Sequence, residues 1–530
     1  PYGQVAITRD FTDGLVTDDW TGYSYDNMGR LTGISYPSGV AAGYGYSNGK
    51  LTTMTATING ATQVVAGSIN YHPFGGMSHW TYGNNLQRAM PIDLDGRLTG
   101  IQTTGIQGLN YQYNANDEIT RITNAVDAGL TQDFGYDALS RLTSAAAPGN
   151  TMTLGYDGVG NRTTRHDTSG NLSTTYGYPG YAHHVHNAVM SNGQARWFNH
   201  NGVGNIDAWH GTDGVYNSMV YDAYLRPKSH TRDGLTTNYR YNALDQRVLK
   251  SSGGGNTRYV YAGQNTLLAE RAWASHTQQS VWTTHLYLAG QAVGVVKGST
   301  LYWVHPDHLG RPEMATNGSG QRVWRAANWA FNRSVLQDQI GGYNLGFPGQ
   351  YYDAESNLWQ NGFRDYEPSL GRYMQSDPIG LAGGISTYAY VGGNPLASID
   401  SLGLCPEEPE RDYSQEALAS YSTEDSLNAI VGFGVGTAVA GTGAQVGNKS
   451  AIKPRGGIAG GGPGKNYTSY SRRYLGRGIG RTLGRMPVSA VATRAGIIGA
   501  GYGAYLEHRD ALFALIACLN GKETMVASDD

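Results

Sequence analysis

Two short runs of the chain carry the same pattern, Asp-x-x-Gly-Leu: Asp377 to Leu381 and Asp400 to Leu404. Two carboxylates can cut a peptide bond if they share a water and hold different protonation states. Placing like charges together raises one pKa, so one Asp acts as base while the other donates a proton. The two copies supply two such carboxylates on similar turns. The run between them, "ISTYAYV" (Ile385 to Val391), predicts a strand that folds the chain back and brings the turns together. Spacing alone leaves a second reading open, in which both Asp residues simply cap turns ahead of Gly.

Other stretches imitate chemistry without completing it. "HPDHLG" (His305 to Gly310) and "YAHHVHN", with His183, His184 and His186, hold histidines, but no second pair sits at ligand spacing. The first reads as a strand followed by a turn. "AGGGPGKN" (Ala459 to Asn466) imitates a phosphate loop, yet Ala459 replaces the first Gly, Asn466 replaces the magnesium-binding Ser or Thr, and Pro463 removes an amide. No pattern calls for a metal or another cofactor.

The chain changes character at Cys405. Cys405 to Asp425 is acidic, with Ser422-x-x-Asp425 resembling a capping box that opens a helix. Ser426 to Asn448 carries no charge and is long enough to span a bilayer core of roughly 30 Å. Gly432, Gly436, Ala440 and Ala444 lie four apart, and Ala492, Gly496, Ala500 and Ala504 repeat the spacing, as in helices that pack closely in lipid. So much Gly, Thr and Ser also makes a poor helix in water, which leaves a flexible connector or loosely packed domain open.

Lys449 to Arg494 is basic, free of Asp and Glu, and interleaved with Tyr467, Tyr470 and Tyr474. That mixture suits nucleic-acid backbones, and equally anionic lipid headgroups. For an enzyme acting on nucleic acid, the general acid/base candidate is His508, flanked by Glu507 and Asp510. A lone surface His is more often just solvated. Cys405 and Cys518, the only two cysteines, could pair in an oxidising space but supply no disulfide framework.

The elements that must position the two Asp residues lie upstream. The chain has 530 residues, more than one compact core usually takes. It holds 76 Gly and 38 Tyr against 9 Phe, with only 15% charged residues, a composition of short strands and turns. A net charge of −3 argues against nucleic acid or acidic membranes as partners of the whole chain. The start, "PYGQVAITRDF", is not a secretory signal, and it opens without Met inside a repeat, as expected of a piece of a longer chain.

One sentence repeats through the first 300 residues. "YSYDNMGRLTGISYPSG" at Tyr23 recurs as "YQYNANDEITRITNA" at Tyr111, "FGYDALSRLTSAAAPG" at Phe134 and "LGYDGVGNRTTRHDTSG" at Leu154. Further copies begin at Met219 and Tyr239, and a weaker one at Pro91. Tyr23 and Tyr25 share one face of a strand, Asp26 and Asn27 favour a turn, Gly29 supplies positive φ, and Arg30, Leu31 and Thr32 begin the return. A single hairpin is marginal, so neighbouring units must stack into an extended, curved sheet.

These units resemble the YD repeats of Rhs and teneurin-like proteins. "YWVHPDHLGRPEMATNGSGQRVWRAANWAFN" (Tyr302 to Asn332) and "GFPGQYYDAESNLWQNGFRDYEPSLGRYMQSDPIGL" (Gly346 to Leu381) closely resemble the Rhs repeat-associated core. The resemblance covers residues 1 to 404. It implies a mainly β fold, a YD-repeat spiral shell or cocoon that encloses the C-terminal part of the chain as cargo, and the residues of that part themselves suggest a small, α-helical, Gly-rich domain. The implied domains are a YD shell at 1–300, incomplete at its N-terminus, the repeat-associated core at 301–404, and a variable toxin at 405–530. The resemblance further implies that Asp377 and Asp400 are an aspartyl pair and that Leu404–Cys405 is cut by the chain itself; Arg364 and Arg372 are nearby basic candidates for holding a carboxylate charged. In that family the second motif usually reads Asp-Pro, whereas this chain has Ser401.

The expected protein is therefore an antibacterial effector made in a bacterial cytoplasm, secreted and delivered into target cells by a type VI spike or adaptor. Its producer would hold a cognate immunity protein. The toxin would be membrane-active through the faces carrying Gly432, Gly436 and Gly496, or a soluble enzyme acting on nucleic acid. A surface-adhesion protein with the tail as anchor is the rival of another class.

Overall fold

The computed structural model describes residues 5–10, 19–73, 75–180 and 183–407. Among these, thirty-one strands from Ile7–Asp10 to Arg333–Asp338 form one sheet, each paired antiparallel with the next in sequence. Helical structure among the described residues is four three-residue 3-10 turns. The mainly β shell is thus as expected. The helical domain expected within 405–530, and any membrane span there, lie outside the described residues beyond Glu407. No helix among the described residues is long and apolar enough to cross a membrane.

The repeat explains the sheet atom by atom. At the first hairpin Asp26 Oδ1 accepts from the amides of Met28 (2.9 Å) and Arg30 (3.0 Å), and Oδ2 accepts from Arg30 Nε at 2.7 Å. Gly29 follows with φ 82°, a conformation costly for any side chain. The same Asp–Arg pair, four residues apart, closes the turns at 93–97, 137–141, 222–226 and 307–311. Asn114–Glu118 and Asn242–Gln246 do so with neutral donors, each at 2.7 Å.

The second tyrosine of a unit reaches back to the unit before it. Tyr46, Tyr113, Tyr136 and Tyr156 donate their hydroxyls to the carbonyls of Leu31, Leu98, Ile119 and Leu142 at 2.7–2.9 Å. A phenylalanine would fill the same space without this bond, which accounts for the excess of Tyr over Phe. The turn arginine then stacks on that ring: Arg30 lies 4.6 Å from the Tyr46 centroid and Arg141 4.7 Å from Tyr156. The pairing register also slips at the second tyrosine of many units, at Tyr25, Tyr113, Tyr136 and Tyr156 among others. Such bulges add twist, and repeated they coil the sheet.

The coil returns on itself. Tyr44 Oη donates to the Tyr287 carbonyl (3.2 Å), Tyr82 Oη to that of Val304 (3.0 Å), and Arg88 Nη2 to that of Pro306 (2.9 Å). Strands near residues 38–132 thereby lie against strands near 284–328, and the core between them holds Met54, Trp80, Leu286 and Trp303. Strand pairing runs without a break past residue 300, through Gln291–Lys297 and Thr300–Pro306. His305 closes its strand onto Thr316 Oγ1 (3.0 Å), and Asp307 opens the following turn.

After the meander comes a separate four-stranded sheet: Gln350–Asp353, Leu358–Asn361, Arg364–Glu367 and Arg372–Tyr373. Its core of Phe347, Trp359, Tyr366, Tyr373, Tyr390 and Ile399 takes in Leu309 from the shell. Buried ion pairs fix it there, Arg247 with Asp353 and Arg196 with Glu367. The strand expected over Ile385 to Val391 does not form. That run is a series of turns flanked by Gly383-Gly384 and Gly392-Gly393, and it meets the sheet edge at only a few backbone bonds. Two of these, Asp377 N to Thr387 O (2.8 Å) and Tyr373 N to Tyr388 O (2.9 Å), still fold the chain back as the sequence required.

Candidate active site

Arg364 is the first residue of its strand, and its side chain is almost wholly buried. Nη1 lies 3.0 Å from Asp377 Oδ2 and Nη2 lies 3.1 Å from Asp400 Oδ2. One guanidinium thus bridges both carboxylates. Its other donors go to the carbonyls of Gly403 and Thr387, and its plane sits 3.7 Å from the Tyr373 ring centroid.

Each Asp divides its two oxygens between two tasks. Asp377 Oδ1 accepts from the Ile379 amide (3.0 Å) and Asp400 Oδ1 from the Leu404 amide (2.7 Å), so both cap their own turns. The Oδ2 atoms face Arg364, and Asp400 Oδ2 also accepts from Tyr373 Oη at 2.7 Å. The turn-capping reading thus holds for Oδ1 of each Asp, and Oδ2 of each is left facing Arg364.

The Leu404–Cys405 bond lies in this cluster. Leu404 and Cys405 are 1% and 5% exposed. A Cβ on Gly383 would stand 2.2 Å from Asp377 Oδ2 and 2.6 Å from the Leu404 carbonyl oxygen. That carbonyl and that carboxylate therefore flank the same bare α-carbon, a closeness that only Gly permits. Asn361 holds the Asp400 carbonyl (2.9 Å), Asn265 the Ser401 carbonyl (2.6 Å), and the Phe363 amide the Leu402 carbonyl (3.0 Å). Cys405 is disulfide-bonded; Cys518, the other cysteine of the chain, lies outside the described residues.

Burial sets the protonation. Removal from water pushes the Asp377 carboxyl up to about 7, helped by the Asp400 charge and opposed chiefly by Arg364. Burial also raises Asp400, against Arg364, the Tyr373 hydroxyl and the amides of Leu404 and Gly403. Asp400 has the more donors aimed at its charged form, so the pair is chemically unequal.

Arg372 is placed elsewhere: it donates to Tyr178 Oη (2.8 Å) and to the His183 carbonyl, tying the small sheet to the shell. His183 approaches Asn161, His184 stacks on His200, and His308 bonds to the Leu396 carbonyl. Glu507, His508, Asp510, Gly432, Gly436 and Gly496 all lie outside the described residues. Sequence reasoning missed Tyr373, Gly383 and Asn361. The Gly383-Gly384 doublet signalled a close backbone approach, whereas nothing local marked Tyr373 among so many tyrosines.

A coiled sheet of tyrosine-latched hairpins, closed by a small domain with a carboxylate pair, defines a YD-repeat shell protein. The teneurin YD-shell family model matches residues 92–382, and the chain belongs to that family. It is 24% identical over 371 residues to the toxin protein Tse5 of Pseudomonas aeruginosa, an alignment covering 61% of this chain and 27% of that one. It is 32% identical to the probable deoxyribonuclease RhsB of Dickeya dadantii, over 31% of this chain and 12% of the relative. It is also 36% identical to the double-stranded DNA deaminase toxin A of Burkholderia cenocepacia, over 20% and 8%. The chain thus spans about a quarter or less of each of these relatives' length. In fold it is similar to the crystal structure of TcdB2-TccC3-TEV, with TM-score 0.58 at 19% identity, covering 74% of this chain and 22% of that one. The recognition of a YD-repeat protein of the Rhs kind stands.

Proposed function

We propose that this chain is the shell and self-cleaving portion of a polymorphic toxin, and that it cuts its own Leu404–Cys405 bond. The observation carrying this is the shared Arg364, which holds both carboxylates around the buried bond. Asp377, protonated near neutrality, donates its proton to the Leu404 carbonyl oxygen. Asp400 takes a proton from the attacking water as the carbon–oxygen bond forms. The tetrahedral intermediate collapses: Asp377 takes a proton back as the carbonyl re-forms, the carbon–nitrogen bond breaks, and the amine of Cys405 leaves with the proton from Asp400. Arg364 offsets the charge that moves between the two carboxyls. Intact mass after expression tests this: wild type yields a fragment beginning at Cys405, and Asp377→Asn or Asp400→Asn leaves one mass. Cutting by both variants would sink the aspartyl reading.

Delivery into target cells, a secretion spike or adaptor and a cognate immunity protein belong to the same proposal, supported by the toxin names of the relatives. For the released segment, the four-residue spacing of Gly432 and Gly436, and of Gly496 with its neighbours, favours assembly in the target membrane. The basic run before Arg494 supports the alternative of a nucleic-acid enzyme, with His508 as its acid/base group, the kind of target printed in the names of two relatives. Inducible expression of residues 405 to 530, following membrane potential and nucleic-acid integrity together, separates the two.

A further inference from the structure

The bond proposed for cutting lies inside a closed hairpin, and the chain beyond it is held by contacts that do not include that bond. The Glu407 amide donates to the Ile399 carbonyl at 2.7 Å, and the Ile399 amide donates to the Glu407 carbonyl at 2.8 Å. Ser401 Oγ lies 3.0 and 2.9 Å from the two Glu407 carboxylate oxygens, to which its hydroxyl donates. Between them Cys405 is buried. Breaking Leu404–Cys405 removes none of these interactions.

We propose that residues 399–401 are a peptide-binding site for the new N-terminus, holding Cys405-Pro406-Glu407 as a short antiparallel strand after the cut. Cutting and departure are then separate events. Strand addition of this kind draws its binding from main-chain bonds, with a side-chain contact setting register. Pro406 favours it twice: the ring fixes its own φ and keeps Cys405 extended, so the freed end loses less conformational entropy on staying bound. The site also gives Ser401 a task. A Pro at that position would carry no hydroxyl for Glu407.

This inference rests on the self-cleavage reading, and hydrogen exchange read by mass spectrometry on the full chain separates the two. The peptide carrying Glu407 is expected to be protected in uncut Asp377→Asn and equally in the cut wild type. Glu407→Ala is expected to cut to the same extent and to exchange that peptide at least ten-fold faster, as is Ser401→Ala wherever it is cut. Exchange in the cut wild type as fast as in Glu407→Ala overturns the retention alone. A wild-type chain of undivided mass overturns the cleavage and the retention with it. Because the readout is local to the Glu407 amide, containment of the rest of the segment within the shell does not imitate it.

Discussion

Replacing Tyr373 by Phe removes one oxygen and leaves the packing. The ring keeps its neighbours Tyr366 and Tyr390, with centroids 6.0 and 5.9 Å away, and its place beneath Arg364. What goes is the 2.7 Å bond to Asp400 Oδ2. A buried hydrogen bond to a charged acceptor contributes about 1.5–3 kcal/mol. Its loss raises the Asp400 carboxyl further, because one donor that favours the charged form is gone. If Asp400 is the base, it must be ionised, so self-cleavage is expected to slow by at most roughly ten- to a hundred-fold on the acid side, where that carboxyl is mostly protonated, and by less toward neutrality. The acid limb of the pH profile should move upward. The alkaline limb belongs to Asp377 and should stay near 7, falling about tenfold per unit above it. The assay is a time course of cell-free translation, buffered across pH 5 to 9 and read as the ratio of intact to cut mass. A Tyr373→Phe chain that folds, cuts at the wild-type rate and keeps its acid limb would refute the assignment of Asp400 as the base.

Gly383→Ala is expected to abolish cutting while leaving the shell folded, because a Cβ there displaces either Asp377 or the Leu404 carbonyl; normal cutting would remove the link drawn between them. Asp377 has a folded-state pKa raised from the ordinary carboxylate value to about 7, so the folded chain binds a proton that the unfolded chain releases. Stability therefore falls as pH rises from about 4 to about 7, by at most about 4 kcal/mol, and levels off above. In an uncut Asp400→Asn background, adding Asp377→Asn should flatten that fall, as read by urea titration at several pH values. Tyr136→Phe removes the hydroxyl latch onto Ile119 and should lower the shell's unfolding midpoint by about 1 kcal/mol in free energy. Combining it with Tyr46→Phe and Tyr156→Phe should add nearly in full, since each latch joins a different pair of units, and an unchanged midpoint in the triple variant would mean the latches contribute nothing net.

The local grammar of the shell was readable residue by residue. Asp26, Gly29 and the alternating Tyr23 and Tyr25 specify a turn and a strand face within a few positions, and such short-range rules repeat wherever the letters do. The doubled Asp-x-x-Gly-Leu was legible for the same reason, since each Asp caps its own turn through one oxygen. What the other oxygen does was decided elsewhere. Arg364, on a strand before either motif, meets both carboxylates only because the small sheet packs on the shell and the glycine-flanked turns at 385–391 bring the chain back. Arg364 and Arg372 were equal candidates by sequence. They part because one lies under the Asp pair while the other points to Tyr178, across a contact joining residues far apart in the chain. Tyr373 among so many tyrosines, and the pKa of Asp377, depend on burial, which is a property of the whole packed assembly. Composition and spacing determined which hairpins form and where carboxylates are presented. Only the tertiary structure decided which cation they share, how dry they are, and which peptide bond lies between them.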